Sequence, residues 1–140
     1  MILSRLMQRA DRRSAPEPVS AHCDLPCGVY DPAQARIEAE SVKAVIEKYL
    51  ANEDPAYRTR ALIIKEQRAE LVKHHLWVLW TDYFKAPHFE KYPNLHQLFN
   101  EATKLAGAGG AKGTVDVAVA DQLLAKIDEI AKIFWETKQA

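Results

Sequence analysis

The chain has 140 residues, 48% of them hydrophobic, enough for one domain with a sizeable core and too few for two ordinary ones. Lysine plus arginine number 19, as do aspartate plus glutamate, and this neutral balance argues against a nucleic-acid partner. No apolar run nears the roughly 20 residues of a membrane-crossing helix, so no membrane insertion is expected and a soluble, cytoplasmic protein is predicted.

Residues 1–21, MILSRLMQRADRRSAPEPVSA, mix four arginines with Pro, Ser and Ala and show no sustained period, which reads as a disordered leader. A secretory signal follows its basic residues with about 7 to 15 apolar ones, whereas Arg9, Asp11, Arg12 and Arg13 interrupt this stretch. The leader ends in the small residues Ser20 and Ala21, and cleavage there by a processing peptidase exposes His22.

The next segment, HCDLPCGVYDP, holds both cysteines, two prolines and a glycine, and cannot be a regular helix or strand. Residues 22–31 are therefore taken as a hook, and residues 32–140 as the body of the domain. Asp31-Pro32-Ala33-Gln34 supplies an N-cap acid, a proline for the first helical position and a glutamine for a capping box. A first helix is predicted from about Pro32 to Ala51, with Val42, Val45, Ile46 and Tyr49 along one face. Asp54-Pro55 repeats the start signal, and Ala61, Ile64, Leu71, Val72, His75 and Leu79 mark a second helix reaching toward Tyr83.

Lys85 to Pro93 is expected to be a proline-punctuated connection. Leu95, Leu98, Phe99, Ala102 and Leu105 then define a third helix ending at Gly107. After a glycine-rich loop, expected to be a flexible connector, a fourth helix carries Val117, Ala120, Leu124, Ile127, Ala131 and Phe134, with Leu123 and Ile130 widening its face. No strand pattern appears. The reading is an all-α, antiparallel four-helix bundle with an irregular N-terminal hook.

Bundles host many functions, so function must come from a site. Cys23 and Cys27 are separated by three residues, a spacing open to a local disulfide, a metal site or reactive thiols. Structural zinc normally takes four protein ligands, and no second Cys pair or His pair at finger spacing is present. A thioredoxin-like pair needs C-x-x-C near a βαβ pattern, also missing here.

Removal of the leader changes the chemistry on offer. The new amine of His22 and the amide nitrogen of Cys23 close a five-membered ring on one metal, and that amide closes a second with the Cys23 thiolate. Cys27 returns across Pro26 with another sulfur, and the His22 imidazole reaches an axial position. Such a tetragonal nitrogen and sulfur set suits nickel or copper and disfavours zinc or magnesium. Two thiolates favour nickel, because copper(II) tends to oxidise them. The familiar amino-terminal site with histidine third in line does not apply, since that position is Asp24.

HCDLPCGVYDP resembles the nickel-binding hook of the nickel superoxide dismutases. The likeness continues through Ala33 to Ser41, Lys65 to Leu71, Trp80 to Lys85, His88 to Pro93 and Ile133 to Lys138, with departures at Ala86 and in the glycine-rich loop. The resemblance implies a homohexamer of four-helix bundles that disproportionates superoxide to oxygen and hydrogen peroxide, with one redox-cycling nickel ion per subunit. It implies His22, Cys23 and Cys27 as metal ligands, Glu38 and Arg68 as the groups that hold the axial imidazole, and Tyr30 and Tyr83 beside the open axial face.

Glu38 and Arg68 also stand out without the resemblance, because each sits on an apolar stripe and a partly buried charge needs a partner. Snorkelling outward near a bundle end is the plainer alternative for both. Lys85 is a candidate for steering an anionic substrate. His74, His75, His88 and His96 lack an i, i+4 pair and are read as packing or surface residues. The apolar run Leu76 to Trp80 is wider than one bundle face requires; core packing explains it most simply, and a subunit interface is the other reading. The rival function is a nickel or copper carrier or sensor using the same hook, with a thiol redox protein behind it.

Overall fold

The computed structural model describes residues 28–139. The predicted leader, with its cleavage point, and the hook residues His22, Cys23, Asp24, Pro26 and Cys27 lie outside the described residues. Among the described residues all regular structure is helical: α1 (Ala33–Leu50), α2 (Pro55–Val78) continued by a π-helical turn (Leu79–Tyr83), α3 (Ala86–Lys91), α4 (Leu95–Ala106) and α5 (Val117–Lys138). No described helix is long and apolar enough to cross a membrane.

The four long helices form a closed ring in which α1 packs on α2 and α5, and α4 packs on α2 and α5. Named pairs fix the register of all four neighbours. Glu38–Arg68 and Tyr49–Arg58 run in opposite senses along α1 and α2, as do Arg36–Asp128 and Lys43–Asp121 along α1 and α5. Glu101–Lys126 joins α4 to α5, and Trp80 lies flat on Phe99 where the end of α2 meets α4. The predicted antiparallel four-helix bundle is the fold observed.

Local chemistry explains the helix starts. The Asp31 carboxylate accepts from the Ala33 N–H at 2.8 Å, and that of Asp54 accepts from the Tyr57 N–H at 2.7 Å, with Pro55 in the first turn where its missing donor costs nothing. Asp116 does the same for α5 through the Ala118 N–H. The core is built on stripes: Ala35, Ala39, Val42 and Ile46 on α1; Ala61, Ala69, Val72 and Leu76 on α2; Leu95, Leu98, Phe99 and Ala102 on α4; Ala120, Leu123, Ile127, Ile130 and Phe134 on α5.

Three expectations need correcting. The Lys85–Pro93 connection contains the short helix α3, because Pro87 occupies its first turn, the Lys85 N–H donates to His88 Nδ1 (3.1 Å), and Pro93 falls beyond its end. The buried face of α2 is turned relative to the predicted one, leaving Leu71 38% exposed and placing Lys65, only 3% exposed, in the interior. The glycine-rich loop is a compact turn clasped by that lysine. Lys65 Nζ donates to the carbonyls of Ala111 (2.9 Å), Lys112 (2.6 Å) and Thr114 (2.6 Å). At Gly110 and Gly113 a Cβ would stand 2.0 and 1.9 Å from the carbonyl oxygens of Leu105 and Ala108, so only glycine closes the turn this tightly.

Candidate functional site

The chain enters the described structure at Gly28, whose φ of +87° lies in the left-handed region that favours glycine. The hook therefore leaves its cysteines through a turn that a side chain would strain. Val29 is exposed, and Tyr30 then packs against the bundle core. Its ring meets Tyr83 edge-on, with centroids 5.8 Å apart and an interplanar angle of 62°. Two tyrosines far apart in sequence are thus neighbours at the end of the bundle where the hook joins.

Tyr83 owes its place to the π-helical turn. The Phe84 N–H donates to the Leu79 carbonyl at 3.0 Å, the wider spacing that inserts one residue into the end of α2 and re-aims the residues beyond it. The Tyr83 ring is held by Phe134 (4.3 Å between centroids), Phe84 (4.9 Å) and His88 (5.8 Å, nearly parallel). Burial, then the nearby charges of Lys85 and Lys91, hold His88 below the usual histidine range, so this ring is neutral near pH 7. Lys85 itself is exposed at the start of α3, two residues after Tyr83.

Glu38 and Arg68 form the second pairing. One guanidinium nitrogen, Nη1, reaches both carboxylate oxygens, at 3.2 and 3.1 Å. The two partners differ in environment: the Glu38 side chain is 15% exposed and that of Arg68 45%. The carboxylate points inward and the guanidinium spans to the surface, so burial and snorkelling each describe one member of the pair. Glu38 lies five residues into α1, about 8 Å along the axis from its start, close to the end where the hook enters. His75 stands within its field. Burial first, then the charge of His74, lower the His75 proton affinity, while Glu38 acts in the opposite sense.

Of the other described histidines, His96 is accounted for by packing and His74 is exposed. Trp80 Nε1 donates to His96 Nδ1 at 2.9 Å, and the His96 ring lies on Phe89. Among the described residues no group of three or more His, Cys, Asp and Glu side chains is placed to hold a metal ion. An open groove of about 720 Å³, lined by Lys73, Trp77, Glu101, Lys104 and Lys126, lies toward the C-terminal end of α4, and neither the two tyrosines nor Glu38 is part of its lining. It offers no soft donor.

Fold and site together define an all-α bundle that gathers two tyrosines, and a carboxylate–guanidinium pair, near the entry of a cysteine-bearing segment. Residues 17–138 match the nickel-containing superoxide dismutase family, and the chain belongs to that family. It is 68% identical over 122 residues to "Superoxide dismutase [Ni]" of Streptomyces coelicolor (strain ATCC BAA-471 / A3(2) / M145), covering 87% of this chain and 92% of the relative. The protein of the same name from Streptomyces seoulensis is 66% identical over the same coverage. A native nickel superoxide dismutase structure superposes with a TM-score of 0.81 at 67% identity, covering 85% of this chain and all of that one. An apo nickel superoxide dismutase structure gives 0.78 at 65% identity, over 81% of this chain and all of that one.

Proposed function

We propose that this chain disproportionates superoxide, converting two superoxide anions and two protons into dioxygen and hydrogen peroxide, with nickel as its cofactor. The observation that carries the reading is identity of 66% to 68% to two nickel superoxide dismutases across 122 residues, within a family match spanning residues 17–138. The donor chemistry fits. Two thiolates, an amine and an amide nitrogen would suit nickel, and the hook is where the sequence concentrates them.

In this reading residues 1–21 are removed by a peptidase. His22 then holds the metal through its amine and imidazole, Cys23 through its amide and thiolate, and Cys27 through its thiolate. The nickel, when bound, supplies a one-electron redox couple. Glu38, held in place by Arg68, would orient the His22 imidazole through a hydrogen bond, the usual work of a group behind a metal ligand. Tyr30 and Tyr83 border the approach and limit what reaches the centre. Lys85 adds positive charge that favours encounter with an anion. In this reading the body is a cytoplasmic homohexamer; apolar side chains left on outer helix faces, among them Ile37, Ile63 and Trp77, support self-association.

Native mass spectrometry of protein made with its processing machinery and nickel tests this directly, paired with a superoxide consumption assay on the same sample. Hexamers of chains beginning at His22, each with one nickel, and rapid dismutation are expected. Chains that keep Met1 or bind zinc would overturn the site. Nickel bound without turnover would make the protein a carrier or sensor.

A further inference from the structure

The Tyr83 hydroxyl oxygen lies 2.7 Å from Thr137 Oγ1, and Thr137 Oγ1 lies 2.7 Å from the Phe134 carbonyl oxygen. A threonine hydroxyl has one proton, and a carbonyl can only accept. The Thr137 proton is committed to Phe134, so the bond between the two hydroxyls runs from Tyr83 to Thr137. The position of the phenol oxygen is fixed by its ring. Phe134, Phe84 and His88 surround its ring, and Lys138 Nζ sits 5.4 Å from the ring centroid.

We infer that Thr137 is a positioning residue for Tyr83, accepting a hydrogen bond from the phenol so that Tyr83 presents an accepting oxygen to the site. The inference rests on the reading above that Tyr83 borders the metal centre. It makes the last turn of α5 part of the site, and it assigns Tyr83 a defined chemical role. Peroxide formation consumes protons, and Tyr83 cannot supply one without first breaking its bond to Thr137. Its free lone pair is suited instead to orienting a donor, such as a water molecule, that stands between the tyrosine and incoming superoxide.

The test is proton NMR of the metal-free full chain together with Thr137→Val and Thr137→Ser. Valine keeps the shape and removes the acceptor; serine keeps the acceptor. The wild-type Tyr83 hydroxyl proton should be protected from exchange and show a cross-peak to the Thr137 methyl group. Exchange should quicken about fivefold or more in Thr137→Val, as expected for loss of an ordinary hydrogen bond, and return toward wild type in Thr137→Ser. An exchange rate unchanged in Thr137→Val, with the aromatic shifts around Phe134 preserved, overturns the inference. So does a wild-type cross-peak pattern placing the shared proton on Thr137. In the nickel-loaded enzyme, Thr137→Val should change the pH dependence of turnover and Thr137→Ser should restore it. If Tyr83→Phe leaves dismutation untouched although the wild-type protein shows the Thr137-dependent proton, the hydrogen bond stands and the placement of Tyr83 at the site falls.

Discussion

Replacing Lys65 by methionine tests the clasp that orders the glycine-rich loop. Methionine fills most of the aliphatic volume and deletes the ammonium, so three carbonyl oxygens lose their partner at once. Ala111 is fully buried, and stranding its carbonyl costs about 1–3 kcal/mol. Lys112 and Thr114 are partly exposed, water can replace Nζ there, and each loss is about 0.5–1.5 kcal/mol. Deleting a buried charge also removes its desolvation cost, which brings the expected net destabilisation down to about 2 kcal/mol. Urea denaturation followed by circular dichroism reads this as a lowered midpoint. A K65M protein as stable as wild type would refute the clasp. The pH dependence gives an independent check. Burial pushes Lys65 below its ordinary value of 10.5, with Glu66 acting weakly the other way. The unfolded chain then holds that proton more tightly than the folded one. Wild-type stability relative to K65M should therefore rise as pH climbs toward 10.5, and the gain should be lost as pH falls through the folded value. The opposite slope would mean that the three carbonyls outweigh burial.

Glu38→Gln should cost no more than about 1 kcal/mol of stability, because Arg68 is half exposed, yet reduce nickel affinity or dismutation by roughly 10–100-fold; equal activity in a fully loaded sample would remove Glu38 from the site. Gly110→Ala should destabilise by about 2–4 kcal/mol through collision with the Leu105 carbonyl, whereas Gly109→Ala, with open space around its Cβ position, should stay within about 0.5 kcal/mol. Thermal melts of the two variants side by side decide the point. Cys27→Ser should abolish stoichiometric nickel binding while leaving helical content unchanged, since the stripes that build the bundle lie elsewhere; nickel retained at one per chain would exclude Cys27 as a ligand.

The four long helices were legible because their information is local. Asp54-Pro55 and the recurrence of apolar residues every three or four positions act within a few turns, and the structure places α2 and α5 where those patterns point. The errors came where a tertiary partner decided the outcome. On α2 the stripe Ala61, Lys65, Ala69, Val72 and Leu76 has cleaner spacing than the predicted one, but it requires a lysine in the core. That becomes acceptable only when the carbonyls of a distant loop converge on its ammonium. Helix α3 was hidden because Pro87 and Pro93 read as breakers, although a proline in a first turn is compatible with helix.

The same division separates the legible part of the site from the rest. The proposed metal donors sit together in HCDLPCGVYDP, so their chemistry can be reasoned from adjacent residues and chelate-ring size. The groups proposed to support them come from separate elements: Glu38 from α1, Arg68 from α2, Tyr83 from the π-helical turn and Thr137 from the last turn of α5. No spacing rule connects these positions, and a threonine near a helix end carries no motif at all. Only the packing of α5 against Tyr83 reveals that the threonine hydroxyl is placed to accept the Tyr83 hydrogen bond. A short hook can supply soft ligands by itself, but it has no core with which to hold an imidazole, exclude bulky reactants or fix the direction of a phenol. The bundle supplies that rigidity by fixing side chains from α1, α2 with its π-helical turn, and α5 near the hook's point of entry.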